Sequence, residues 1–518
     1  MGGQPIFILS EGTQRTRGRD AQESNITAGK AVAESVRTTL GPRGMDKMLV
    51  DSGGSVVITN DGATILEEMD IEHPAAQMIV EVAESQEDEV GDGTTTAAVL
   101  AGQLLAKAQN LLDDNVHPTT IVEGYLEASH LAKDVVDELT LEGELDDELL
   151  QQVAASSMTG KGTGDVDADT LAEAVVRAVR HAQNGSEIDR DDIHVHTRTG
   201  ASSGATDLVE GFILDEERVH ENMPQDVQDA TVLLLDTDLE VRETEIDAEF
   251  NITDVDQFNA ALESEEGELR GYADAIAEAG ADVVFCTGDI EDRVAGFLAD
   301  AGILAFESLG SDDATAIAQA TGAKRVGTLK DLDSADFGHA EAVSVERFGD
   351  DEVAFVEGGA DAKAVTVFVR GGTEHVVDEL ERAITDAIDV VTVAVESGDV
   401  VPGAGVTEMR IASHVRDKAA GIEGRKQLAV EAYADAVEVI PRTLAENAGM
   451  DPIDALVDLR AANESGLAGI IASGEHGEIA DPLEQGVLDP ADVKREAIEG
   501  ATEAATMIVR IDDVIAAE

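Results

Sequence analysis

The apolar positions of this chain change texture along its length. Up to about residue 145 they recur three and four apart, the repeat of one helix face, which predicts helices over 26–40, 74–84 and 94–112. The β-branched run Val56-Val57-Ile58-Thr59 reads as a short strand leading into a turn at Asp61. Further helical pieces precede a glycine-flanked loop around Lys161. From about 210 to 370, short apolar runs such as Val232-Leu233-Leu234-Leu235, Asp282-Val283-Val284-Phe285 and Val365-Thr366-Val367-Phe368 alternate with alanine-rich helical stretches, an α/β pattern. Residues 374–397 carry Val377, Leu380, Ile384, Ala387 and Val391 on one face of a long amphipathic helix, closed by Val401-Pro402-Gly403-Ala404-Gly405. The remainder is helical again, and no internal repeat is visible.

Three glycine-rich clusters interrupt the first helical region: Thr38-Thr39-Leu40-Gly41-Pro42-Arg43-Gly44, Asn60-Asp61-Gly62-Ala63-Thr64 and Gly91-Asp92-Gly93-Thr94-Thr95-Thr96. Glycines let backbone N–H groups approach a ligand, and the hydroxyls and carboxylates beside them suit phosphate and a divalent cation. The third cluster opens directly into a helix, whose N-terminus stabilises an anion. Asp92 there suits Mg²⁺, which takes one or two carboxylates along with phosphate oxygens and water. Asn-Asp-Gly and Gly-Asp-Gly are also ordinary turn sequences, so each cluster alone is ambiguous. No Walker sequence is present: Ser157-Met158-Thr159-Gly160-Lys161-Gly162-Thr163 lacks the spaced upstream glycine. Because these clusters lie early, and the next glycine-rich turn follows residue 400, one nucleotide domain built from both chain ends is expected, with the middle inserted.

Composition narrows the partners. Acids number 109 against 35 bases, a net charge of −74 spread along all 518 residues, and only eleven of the bases are Lys. With 43% hydrophobic residues the chain is still a folding one, so the charge reads as adaptation to molar salt, which screens self-repulsion within a few ångströms. Nucleic acid and anionic membranes are excluded as partners, since no basic patch exists to neutralise phosphates. The lone Cys286, in an apolar run, is expected to be a core thiol. With no signal-like N-terminus and no apolar stretch of membrane-spanning length, a soluble cytoplasmic protein is expected.

The clusters, in this order, resemble the group II chaperonins of the archaeal thermosome type (the CCT/TCP-1 family). The resemblance runs essentially end to end. It includes Gly18-Arg19-Asp20-Ala21-Gln22, Leu40-Gly41-Pro42-Arg43-Gly44-Met45-Asp46-Lys47-Met48-Leu49-Val50, Gly371-Gly372-Thr373, Pro441-Arg442-Thr443-Leu444-Ala445-Glu446-Asn447-Ala448-Gly449 and the closing Arg510-Ile511-Asp512-Asp513-Val514-Ile515. With the acidity, it points to a haloarchaeal source. It implies a multidomain α+β chaperonin fold: an equatorial ATP-binding domain from 1–145 and 402–518, an intermediate domain from 146–211 and 370–401, and an apical domain over 212–369. A helical protrusion at about 239–266 would form a built-in lid, so no separate co-chaperonin is expected. Identical or paralogous subunits would form a double ring that encloses non-native protein clients, with ATP hydrolysis closing the lid.

The resemblance also implies residue roles. Leu40, Gly41 and Pro42 would contact phosphates through their backbone, Asp92 would hold Mg²⁺, and Gly93, Thr94, Thr95 and Thr96 would cradle phosphate. Asp61 and Asp386 match the catalytic carboxylates, the latter activating the attacking water. On the sequence alone Asp386 is one acid on the polar face of its helix, among Glu379, Arg382 and Asp389. Lys161 matches a position that senses the γ-phosphate, and Gly403, Gly405 and Asp489 would meet the nucleoside. The family has three consecutive glycines where this chain has Gly403-Ala404-Gly405, so the methyl of Ala404 is expected to crowd the base or restrict the backbone. Val294, Phe297 and Leu298 form an apolar stripe read as a client-binding candidate. A holdase ring that has lost ATP-driven cycling is the rival reading; Ala404 favours it, and Asp61, Asp92 and Asp386 oppose it. A metabolic ATP-dependent enzyme would need its own catalytic constellation, which the sequence does not offer.

Overall fold

The computed structural model describes residues 14–516 apart from 51–52, 55, 142, 144, 162–165, 186, 242–254, 331, 350, 360–363 and 474–475. It divides into two compact units, Met1–Val176 with Asp378–Glu518, and Arg177–Val377. The cuts fall inside the 146–211 and 370–401 segments.

The first unit is a helical body with one continuous apolar core drawn from both ends of the chain. Its central element is the Thr94–Asp113 helix, buried on most sides because small residues let neighbours approach closely. A Cβ on Gly102 would lie 2.2 Å from Ala33 Cβ in the Arg19–Val36 helix, so only glycine allows that contact. The two large aromatics of this core, Tyr125 and Tyr433, meet edge to face at 5.6 Å. Their hydroxyls are satisfied by Leu104 O (2.9 Å) and Thr502 Oγ1 (2.9 Å). Gln14–Arg17 pairs antiparallel with Asp513–Ala516, tying the two chain ends together.

Helix limits differ from the periodicity in ways the backbone explains. The first helix runs Arg19–Val36 and tightens to a 3₁₀ turn at Arg37–Thr39, because Leu40 turns to extended backbone before Gly41-Pro42. The Pro74–Val90 helix continues six residues past the expected end, until Gly91 takes left-handed backbone at φ 66° as its C-cap. Glu374–Ser397 forms as one helix, as its apolar stripe predicts.

Among its described residues the second unit holds two larger sheets and a two-stranded ribbon, Gln183–Asn184 with Glu187–Ile188. The larger, seven-stranded sheet has the order Leu304–Phe306, Val283–Cys286, Asp226–Leu235, Gly338–Phe348, Asp351–Glu357 and Gly211–Leu214, with Arg325–Val326 also pairing to Asp226–Leu235. The first three strands run parallel and the last three antiparallel. Every residue of Val283–Cys286 is buried, as a parallel strand covered on both faces requires. Cys286 is a core thiol there, its pKa pushed up to about 11 by burial. The smaller sheet pairs Val365–Gly371 parallel to Ile193–Thr199 and antiparallel to Asp207–Val209.

The client-binding stripe is corrected here. Val294 and Leu298 are 0% exposed and belong to the core under the Asp292–Ala301 helix. Phe297 is half-buried, with the Arg270 guanidinium 4.2 Å from its ring centroid. An i, i+3, i+4 stripe serves a core as readily as a groove, and here it serves the core. Of the protrusion expected at 239–266, residues 242–254 lie outside the described residues, and the helix Val255–Ala279 begins within it. Among the described residues no helix is long and apolar enough to cross a membrane.

Candidate functional site

The first unit contains a cavity of about 430 Å³, within the range of small-molecule sites. Its floor is the start of the Thr94–Asp113 helix. Gly93 is the N-cap at φ 85° and supplies no capping side chain, so the first-turn N–H groups open toward the cavity. Asp92 Oδ1 accepts from Gly93 N–H at 2.7 Å, which fixes the carboxylate beside that helix start. The other two clusters close around it. A Cβ on Gly62 would sit 2.4 Å from Thr95 Oγ1, so the Asp61–Gly62 backbone rests directly on the helix end. Asp61 caps the short Gly62–Glu67 helix by accepting from Thr64 N–H at 2.7 Å.

The Leu40-Gly41-Pro42 turn lines the opposite side, and Gly41 takes φ 84°. A Cβ on Gly160, at φ 90°, would lie 2.8 Å from Pro42 Cα, so the loop bearing Lys161 is pressed onto that turn. Asn60 Nδ2 donates to Gly160 O at 2.8 Å and fastens the loop to the second cluster. The structure thus brings Leu40, Gly41, Pro42, Asp61, Asp92, Gly93, Thr94, Thr95, Thr96 and Lys161 to one wall system.

Asp386 does not line the cavity but reaches it through an ion pair with Lys161. It is 8% exposed, not a solvated surface acid. The reason is packing against the end of the Pro74–Val90 helix: a Cβ on Gly91 would meet Asp389 Cβ at 2.3 Å. Burial pushes the Asp386 carboxyl up to about 6, with Lys161 opposing and Asp61 and Asp92 adding to the rise. Burial would lower the Lys161 ammonium, but Asp386, Asp92 and Asp61 outweigh it and hold its pKa above the usual lysine value. Glu87, which the sequence reading passed over, is pushed up to about 9 by burial and by Asp386, Asp61 and Asp92. The base of the cavity therefore carries a negative potential that Lys161 does not fully offset.

The rest of the cavity wall includes the apolar Ile440, Leu444, Ile470, Ile471, Val487 and Ala497 beside Gln485 and Lys494. Gly405 and Asp489 line it, whereas Gly403 stands behind: a Cβ there would lie 3.0 Å from Asp489 Oδ2. Val400–Pro402 pairs with Leu488–Pro490, which is what brings the glycine turn and Asp489 together. Ala404 adopts φ 57°, a left-handed conformation costing a non-glycine residue about 1–2 kcal/mol. Its methyl packs toward Gly469, where an added Cβ would lie only 2.7 Å away. The backbone is restricted at Ala404, as the sequence reading allowed.

Sequence reasoning missed Lys494. It is 12% exposed, with Nζ 2.8 Å from Asp489 Oδ2 and 2.9 Å from Glu408 Oε1, and it lines the cavity. Its scarcity in this chain and its place five residues after Asp489, in the first turn of the Ala491–Arg510 helix, were the available signals.

A profile of the TCP-1/cpn60 chaperonin family matches residues 32–518. The chain is 70% identical over 518 residues to thermosome subunit 3 of Haloferax volcanii, covering 99% of each. It is 54% identical to thermosome subunit alpha of Halobacterium salinarum, covering all of this chain and 92% of the relative. Identity to the thermosome subunit of Methanopyrus kandleri is 53%, over 99% of this chain and 95% of that one. A profile spanning nearly the whole length, together with relatives this similar end to end, leaves one conclusion: the chain belongs to the TCP-1/cpn60 chaperonin family.

Proposed function

We propose that ATP occupies this cavity, its triphosphate at the start of the Thr94–Asp113 helix and its nucleoside against the apolar stretch of wall, and that its hydrolysis drives a folding cycle. Members of this family are ATP-hydrolysing chaperones, and two of the relatives reported above are thermosome subunits of Haloferax volcanii and Halobacterium salinarum. One observation carries the placement. A single cavity combines an open helix N-terminus and neighbouring carboxylates with a stretch of apolar wall, the two kinds of surface a nucleotide requires.

Each group then has a task. The N–H groups and hydroxyls at Gly93–Thr96 and the backbone at Leu40–Pro42 hold phosphate oxygens. Asp386 orients and deprotonates the attacking water, with a pKa near the working range of a general base. Lys161 meets the γ-phosphate and, through its ion pair, fixes Asp386. Asp61 adds a second carboxylate at the reacting end. Asp489 meets the ribose, and Lys494 holds Asp489 in place.

The residues fit Mg²⁺ brought in with the nucleotide. Among the described residues no group of three or more ligating side chains would hold a metal alone, while Asp92 stands at the phosphate end under uncompensated negative charge. When bound, that ion supplies charge neutralisation on the phosphates. Positioning and charge stabilisation are most of what phosphoryl transfer requires from the protein.

The domain reading follows the same family logic: 1–145 and 402–518 equatorial, 146–211 and 370–401 intermediate, 212–369 apical with a lid protrusion at 239–266. Identical or paralogous subunits assemble into a cytoplasmic double ring that encloses non-native proteins, needing neither a separate lid nor nucleic acid.

Binding of a fluorescent ATP analogue with and without Mg²⁺ tests the site. Mg²⁺ should tighten binding in the native protein, and Asp92→Asn should lose most of that gain. A native protein that binds no nucleotide, or an Asp92→Asn variant with an unchanged Mg²⁺ effect, overturns the assignment.

A further inference from the structure

Gln86 is not part of the cavity wall, yet it touches both of the elements that form it. The side chain is 1% exposed, in the last turns of the Pro74–Val90 helix. Its Nε2 donates to Asp92 O at 2.8 Å and to Val493 O at 3.2 Å. Both acceptors are carbonyls, so the atom between them must be the amide nitrogen; chemistry alone settles the orientation. Asp92 precedes the N-cap of the phosphate-end helix, and Val493 lies in the first turn of the Ala491–Arg510 helix, next to Lys494. Residues from both sides, Asp92–Thr96 on one and Val493, Lys494 and Ala497 on the other, line the cavity.

Gly93 completes the contact. A Cβ there would lie 2.9 Å from Gln86 Nε2 and 2.9 Å from Val493 Cγ1. The space left by the missing side chain of this glycine is taken by Gln86 and Val493.

The glutamine carries a cost at this position that offsets much of what its two hydrogen bonds contribute. Its Oε1 is buried without a hydrogen-bond partner among the described residues, which costs about 1–3 kcal/mol for an unsatisfied acceptor. An apolar residue of the same length would avoid that penalty and fill the same volume, but it would lose both donated hydrogen bonds. What only the amide provides is a pair of donors on one nitrogen, one directed at the nearby Asp92 carbonyl and one at the carbonyl of Val493, 407 residues after Gln86 in sequence.

We infer that Gln86 is a positioning residue for nucleotide binding: a two-headed clamp that sets the spacing between the phosphate-end turn at Asp92–Gly93 and the Lys494-bearing helix. The inference rests on the nucleotide reading given above. Gln86 acts through Asp92, Gly93 and Val493 and touches no substrate atom itself.

The test compares assembled native protein with Gln86→Met, which keeps length and volume but removes both donors. Three quantities are read: affinity for a fluorescent ATP analogue with Mg²⁺, hydrogen exchange at the amides of 92–96 without nucleotide, and the thermal midpoint. Affinity should fall roughly 10–100-fold, the range for losing a group that orients a ligand-holding residue, with faster exchange at 92–96 and a midpoint within a few degrees. Affinity within twofold of native, or a loss of affinity matched by a general collapse of exchange protection, overturns it. If Gln86→Met does not assemble, Gln86→Glu is read in the same way; it keeps the shape and removes at least one donor. Failure of the native protein to bind nucleotide would refute the nucleotide reading instead. The exchange measurement would then decide the clamp alone, unchanged exchange at 92–96 refuting it.

Discussion

Replacing Asp386 with Asn isolates the chemical step from binding. The substitution keeps the side-chain volume at a buried position and leaves the Lys161 contact a neutral acceptor, so the fold has little reason to change. Loss of a general base removes about 10²–10⁴ in rate, or roughly 3–5 kcal/mol of barrier lowering. Binding should move the other way. The native site holds Asp386, Asp61 and Asp92 around one ammonium, and the triphosphate adds more negative charge. Two unit charges about 4 Å apart interact by roughly 4 kcal/mol at an effective dielectric of 20, so removing one carboxylate frees Lys161 for the phosphate. ATP affinity is therefore expected to be equal to native or up to roughly tenfold tighter, a change of about 1.4 kcal/mol. Single-turnover hydrolysis at saturating MgATP gives the rate, and equilibrium titration gives the affinity. The native kcat/KM should also fall as pH drops through about 6, where Asp386 takes up its proton, and the residual activity of the variant should lack that limb. Turnover within threefold of native, or affinity weakened more than tenfold, would show that Asp386 is a structural or binding group and refute the reasoning.

Two further expectations concern other parts of the chain. Ala404→Gly removes left-handed strain of about 1–2 kcal/mol but adds about 0.4–1 kcal/mol of unfolded-chain freedom. Stability should shift by less than about 1 kcal/mol, and nucleotide affinity by less than about threefold, because the methyl packs toward Gly469; denaturant unfolding and ATP titration check both. In the second unit Arg218 and Glu352, with side chains 6% and 8% exposed, form a buried ion pair at 2.8 Å. The Arg218 hydrogen bond holds the Glu352 carboxyl below its ordinary value, so its stabilisation is complete above about pH 4.5 and is lost as pH falls through the depressed pKa. Glu352→Gln, which leaves Arg218 buried without its counter-charge, should cost about 3 kcal/mol at pH 7. Unfolding curves should show the gap between native and variant narrowing in acid, and a gap independent of pH would contradict the assignment.

What was legible in the sequence was whatever chemistry lies close together along the chain. The three glycine clusters stood out because glycine and hydroxyl, with a carboxylate in two of them, are adjacent within each, and the structure brings all three to one cavity. The Glu374–Ser397 helix was equally plain from its stripe. Asp386 was not selectable from local pattern, since its burial is caused by the Pro74–Val90 helix end at Gly91 and leaves no mark on its own helix. Lys494 and Gln86 were hidden for the same reason. Lys494 finds Glu408 only once the Val406–Ala419 and Ala491–Arg510 helices come together, and Gln86 finds Val493 only once the chain ends fold into one core. The stripe at Val294 and Leu298 misled because the periodicity of a core-facing helix is also that of a groove.

The central claim is that hydrolysis at this site drives protein folding. Its most direct test is recovery of a chemically denatured halophilic enzyme in molar KCl, with the native protein and either ATP or a non-hydrolysable analogue. Recovery of activity with ATP that fails with the analogue, and fails again with Asp386→Asn, is the predicted result. Suppressed aggregation with no ATP-dependent recovery would contradict it and identify a holdase.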